Sequence, residues 1–146
     1  MRKCINFVIL SICVIFTSCQ SSSEIITSAV NRISESCPIA VSQTSTINKV
    51  ELDNNEIIFY VEHDESDGSF ADISYQQLKS LERDPKFVKG IFHDIFSQQL
   101  IKDSFKGISM DAIAEMDLHL KAIVKGKASN LEFVCKMSWE DLLTKR

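Results

Sequence analysis

Apolar residues recur along this chain at two periods, and each period predicts an element. Ile26, Ala29, Val30, Ile33 and Cys37 fall at helical spacing behind Ser21-x-x-Glu24, a capping-box pattern, and predict one amphipathic helix. Pro38 restricts Cys37 and ends that helix. Residues 45–52 and 56–63 read as a hairpin about Asp53-Asn54-Asn55, a trio that tolerates positive φ. Ile57, Phe59 and Val61 alternate onto one face of the return strand.

An acidic stretch containing Gly68 follows, then a short helix with Ile73, Leu78 and Leu81. Asp84 and Pro85 supply the N-cap and first residue of a longer helix. Its wide stripe of Phe87, Val88, Ile91, Phe92, Ile95, Phe96 and Leu100 is expected to run unbroken to about Phe105, with Gly107 as C-terminal cap. Ser109 caps a shorter helix carrying Ala112, Ile113 and Met116. Leu118, Leu120 and Ala122 alternate in a third strand, and Leu131, Phe133, Cys135 and Met137 in a fourth, across a turn at 126–130. Ser138-x-x-Asp141 caps a last turn with Trp139, Leu142 and Leu143. The expected fold is α+β, with helices packed on one face of a four-stranded antiparallel sheet, its two hairpins separated by helices.

The first residues follow a different grammar. Arg2 and Lys3 precede an almost wholly apolar run from Ile5 to Phe16, and small Thr17 and Ser18 precede Cys19. A run of about 12 residues is well short of the roughly 20 that span a bilayer, so it reads as a secretory signal. The segment resembles bacterial lipoprotein signal peptides, in which the signal is cut before a cysteine that is diacylated on sulfur. The resemblance implies a signal over 1–18, lipid on Cys19, a polar tether over 19–23 and one domain over 24–146. Phe16 departs from the Leu usual in that family. Two acyl chains suffice for stable anchoring.

Loss of Arg2 and Lys3 with the signal takes 16 Lys+Arg down to 14 against 20 Asp+Glu, and the net charge from −4 to −6. An acidic chain without a Lys/Arg cluster argues against nucleic acid and against charge-driven adhesion to anionic lipid. Cys4 and Cys13 also leave, and Cys19 is assigned to lipid, so Cys37 and Cys135 remain. Two readings stay open: a disulfide closing a loop of roughly 100 residues, stabilising by up to about 4.7 kcal/mol in the chain-entropy model, or two separate buried thiols.

Catalytic and metal grammar is thin. The densest polar cluster, Glu62-His63-Asp64-Glu65-Ser66-Asp67-Gly68, reads as a solvated acidic loop, because an EF-hand register would begin at His63 and end at Ser74. His63, His93 and His119 show no zinc-ligand spacing, and His93-Asp94 diverge on a helix. No serine lies in a Gly-x-Ser-x-Gly or Ser-x-x-Lys context, and four glycines build no phosphate loop. No cofactor is implied. Ile58 and Tyr60 fall on the strand face opposite Ile57, Phe59 and Val61, a candidate partner surface beside Ile47 and Ile123.

The layout as a whole resembles small bacterial lipoproteins that carry α+β domains of unknown function. The carriers are Cys37-Pro38 after the first helix, the hydrophobic hairpin, Gly107-Ile108 near a helix end and the closing turn Trp139-Glu140-Asp141-Leu142. The leading expectation is a non-enzymatic envelope lipoprotein that binds a protein or small ligand. The alternatives are a hydrolase-like enzyme assembled from distant residues, and an inhibitor or immunity-type lipoprotein that presents its acidic loop to a basic cleft.

Overall fold

The computed structural model describes residues 21–144 apart from 69, 71 and 130. The signal reading of 1–18 and the lipid on Cys19 lie outside the described residues. Helix α1 (Ser22–Glu35) opens on the capping box: Ser21 Oγ accepts from the Glu24 N–H, and the Glu24 carboxylate accepts from the Ser21 N–H. Residues 22 and 23, expected in the tether, are therefore the first turn of the helix. Its buried face is Ile26, Ala29, Val30 and Ile33.

Strand β1 (Ile39–Ala40) follows, then β2 (Ser45–Asp53) and β3 (Glu56–His63). Helices α2 (Tyr75–Leu81), α3 (Pro85–Ser97), α4 (Gln99–Phe105) and α5 (Met110–Glu115) lead to β4 (His119–Gly126), β5 (Glu132–Ser138) and α6 (Trp139–Leu143). The sheet has five strands in the order β1-β2-β3-β4-β5. Both expected hairpins are present, but β3 and β4 pair in parallel, with Phe59 opposite Ala122. The expected antiparallel four-stranded sheet is thus a mixed five-stranded one. Parallel neighbours need a crossover, and α2 to α5 supply it. The additional strand, β1, is two residues long and carries no period of its own.

Asn55 fixes the parallel register. Its carbonyl accepts from the His119 N–H at 2.8 Å, and its side-chain amide donates to the Asp117 carbonyl at 2.9 Å. The first hairpin turn and the start of β4 are thereby tied together, with Asn54 taking the left-handed conformation (φ 54°). In β2 the register shifts between Ile47 and Lys49, so Asn48 is an extra residue that lets Ile47 and Val50 both face the core.

The long helix expected over 85–105 is broken at Gln98, whose ψ of 127° ends α3 and starts α4. Ile101 lies six residues beyond Ile95, about 240° around a straight helix, and would face away from the core. The break turns it inward, and both residues are almost fully buried. The Gln98 amide secures the corner by donating to the Val41 carbonyl at 3.1 Å. Over the sheet, Phe96 stacks edge-on to Phe59 and Trp139, and Trp139 to Phe105.

Phe59 is fully buried and joins this cluster to the sheet through Phe96. Phe59→Ala is expected to destabilise the protein by about 3–5 kcal/mol, read as a lower urea midpoint at unchanged slope. A loss below about 1 kcal/mol would show that the aromatic cluster is not the centre of the core.

Candidate functional site

The structure brings one of the three histidines into contact with a serine and a carboxylate. His63 Nδ1 is 2.8 Å from Ser45 Oγ, and its Nε2 is 3.9 Å from Asp67 Oδ1. This is the distant-residue grouping that a hydrolase would require. However, the His63 side chain is 11% exposed and stacks edge-on against Phe70. The cavity beside it, lined by Phe70, Leu78, Val124 and Phe133, measures about 10 Å³. That is room for about one water and not for an acyl group. His93 is exposed on α3, and His119 lies 3.4 Å from Asp117 at the start of β4. Among the described residues no cluster of His, Cys, Asp and Glu could hold a metal.

The acidic loop does not simply face solvent. Glu65, in a 3-10 turn over Glu65–Asp67, reaches across to the β4–β5 turn. Its carboxylate accepts from the N–H groups of Ala128 (2.8 Å) and Ser129 (3.1 Å) and from the Ser129 hydroxyl. These donors hold the carboxyl below its usual range, the Ser129 hydroxyl most of all. Gly126 makes the approach possible, because a Cβ there would overlap the Glu65 carboxylate. Asp64 accepts from the Ser66 N–H, and Asp67 faces His63. The carboxylates an inhibitor would offer a target are largely engaged within the domain.

The sheet face without helices carries the other expected surface. Ile58 is only 5% exposed, because the long side chains of its row partners Glu51, Lys121 and Lys136 surround it. Tyr60 is half-buried, and its hydroxyl donates to Glu51, which also pairs with Lys49. Glu56 receives Lys136 at 2.8 Å and Lys121 at 3.8 Å. Tyr60, Ile123 and Val134 form one apolar row among these charges.

Cys37 and Cys135 are free thiols. Ile39, two residues after Cys37, shares a row with Ile47, Val61, Val124 and Phe133, so four strand spacings of about 4.8 Å separate it from β5. That separation exceeds the roughly 4.4–6.8 Å between Cα atoms that a disulfide spans. Burial, and then the charge of Glu82, push the Cys135 thiol up to about 12.

A larger opening than the cavity at His63 lies beside the outer edge of β5. A cleft of about 470 Å³ runs between the α2–α3 corner and α6. Pro85, Val88 and Met137 supply its apolar lining, and Glu82, Arg83, Lys89, Lys136 and Asp141 its polar one. Glu82 Oε1 accepts from the Val134 N–H at 2.9 Å and from Lys79 at 2.6 Å. Lys89 donates to the carbonyls of Asp141 and Thr144, closing the negative end of α6. No sequence pattern announced this cleft: its walls come from 82–89 and 136–144.

No family model and no curated protein matches the chain. Among solved structures it is similar to the pilotin EpsS of the Vibrio vulnificus type 2 secretion system, at 11% identity. That likeness covers 85% of this chain and 96% of the other, with a TM-score of 0.48. It is also similar to PA3611 of Pseudomonas aeruginosa, provisionally named a secreted protein, at 11% identity over 83% and 91% of the two chains with a TM-score of 0.47. Likeness at this level assigns neither activity nor partner.

The Glu65 clamp titrates with a definite sign. Its carboxyl is depressed in the folded state, so the stabilisation it gives is present above the unfolded carboxyl pKa and is lost as pH falls through the folded one. The Ala128 and Ser129 amide resonances are expected to shift together on acidification. Glu65→Gln should flatten that titration, and Gly126→Ala should displace the carboxylate and loosen the turn at neutral pH. Amide shifts that stay constant through the acid range would mean that the clamp does not form.

Proposed function

We propose that this protein is a lipid-anchored envelope protein whose domain binds a protein partner and does not turn over a substrate. The observation that carries the reading is the make-up of the cleft beside β5. It offers about 470 Å³, yet two of its ionisable groups serve the fold. Glu82 holds a strand amide and Lys79, and Lys89 holds helix carbonyls. No nucleophile–base pair lines it, whereas apolar walls with a charged rim suit a partner's side chains. The signal pattern ending at Cys19 supplies the anchor, two residues before the α1 cap at Ser21. A leash that short would hold the domain against the membrane surface.

In detergent phase separation, the wild-type protein is expected in the detergent phase, with an intact mass that begins at Cys19 and includes acyl chains. Cys19→Ala should move it to the aqueous phase or leave the signal uncut. A photocrosslinker at Arg83, which lines the cleft, should trap a discrete envelope protein in cells, and one at Lys102 on α4 should not. A lipid-free wild type would remove the anchor; equal labelling from both positions would remove the cleft.

A further inference from the structure

We infer that the cleft is a strand-addition site, at which an extended acidic segment of a partner protein pairs with β5 at Lys136. The inference rests on the binding reading above and names the form of its partner. β5 is the last strand of the sheet, so alternate backbone groups along it point away from β4. The parity is set by Val134, whose N–H leaves the sheet to reach Glu82, and by Trp139, whose N–H turns inward to the Leu118 carbonyl. Lys136 shares the parity of Val134. Its N–H and C=O therefore open into the cleft, with no backbone partner among the described residues. A strand edge of this kind is a template for one more strand.

Glu82 shows what the edge accepts, since a carboxylate already occupies the position one pair away. It also limits the added segment to the side running from Lys136 toward α6. The charge around the opening selects the occupant. Arg83 is exposed and its guanidinium has no partner among the described residues, whereas the carboxylate of Glu82 is engaged; Asp141 adds a second carboxylate on the α6 wall, and the three cations of the lining, Arg83, Lys89 and Lys136, outnumber the two. A second copy of this chain fits poorly, because antiparallel pairing of two β5 edges about Lys136 would set like charges opposite each other. An acidic extended segment meets both the open backbone and the free guanidinium.

The test uses the full chain in detergent and three pools of fluorescent seven-residue peptides. All alternate β-branched residues with acidic, basic or neutral polar ones, and binding is read by anisotropy. The acidic pool is expected to bind at least tenfold more tightly than the basic one. Lys136→Pro should abolish binding, since on an edge strand proline removes only an outward N–H. Arg83→Glu, which leaves the backbone untouched, should lose at least tenfold, and Lys102→Glu should change nothing. No binding by any pool, equal binding of acidic and basic pools, or concentration-dependent dimers blocked by Lys136→Pro would each overturn the inference. The result is independent of Cys19 processing, so failure here with an intact anchor removes strand addition alone.

Discussion

The parallel pairing of β3 with β4 constrains everything else in this domain. Antiparallel neighbours can be joined by a two-residue turn, as Asn54 and Asn55 join β2 to β3, but parallel ones cannot. The chain leaving β3 at His63 must return to the opposite end of the sheet before β4 begins at His119. Four of the six α-helices among the described residues lie in that return, and α1 and α6 complete the layer. The row Val50–Phe59–Ala122–Cys135 is nearly or fully buried as a result. The break at Gln98 follows from the same constraint, because a straight helix from 85 to 105 would carry Ile101 and Phe105 past the core they fill.

Helices on one face leave the other to be finished by side chains alone. Ile58 sits in the middle of that face and is still almost inaccessible, under the aliphatic stems of its lysine and glutamate neighbours. The ion pairs there, such as Glu56 with Lys136, are solvent-exposed and contribute about 0–1 kcal/mol each. Their larger effect is geometric, since pairing holds the long chains flat over the apolar row. A surface covered in this way offers a partner little apolar area. The cleft exposes Pro85 and Met137 beside unsatisfied backbone, which is why it carries the binding reading and the open sheet face does not.

Much of this was legible in the sequence, and the remainder was not for identifiable reasons. Ser21, Asp84, Ser109 and Ser138 all cap helices where the pattern placed them, because capping depends on residues within one turn. The strand segments were legible from alternation, but alternation is the same in parallel and antiparallel pairs, so the sheet's mixed character was not. Glu65 was read as a solvated carboxylate because its partners lie more than sixty residues away. A signal did exist: Gly126 at the end of a strand marks a place where something approaches closely. The candidate site left no comparable trace. Free backbone groups on Lys136 are a property of strand order, which no local pattern encodes.

An edge closed at one residue and open at the next behaves differently from a fully exposed one. Glu82 takes the Val134 N–H, so a strand approaching β5 from that side meets a carboxylate that already holds its place. On the cleft side of Glu82 the two backbone groups of Lys136 remain open, and such hydrogen bonds contribute about 0.5–1.5 kcal/mol each. Main-chain pairing alone is then too weak to capture arbitrary strands, which protects the protein from edge-to-edge aggregation. Affinity must come from side chains that fill the space between Val88 and Met137 and from an anion that meets Arg83. The same carboxylate that guards the edge therefore makes binding there depend on the sequence of what binds.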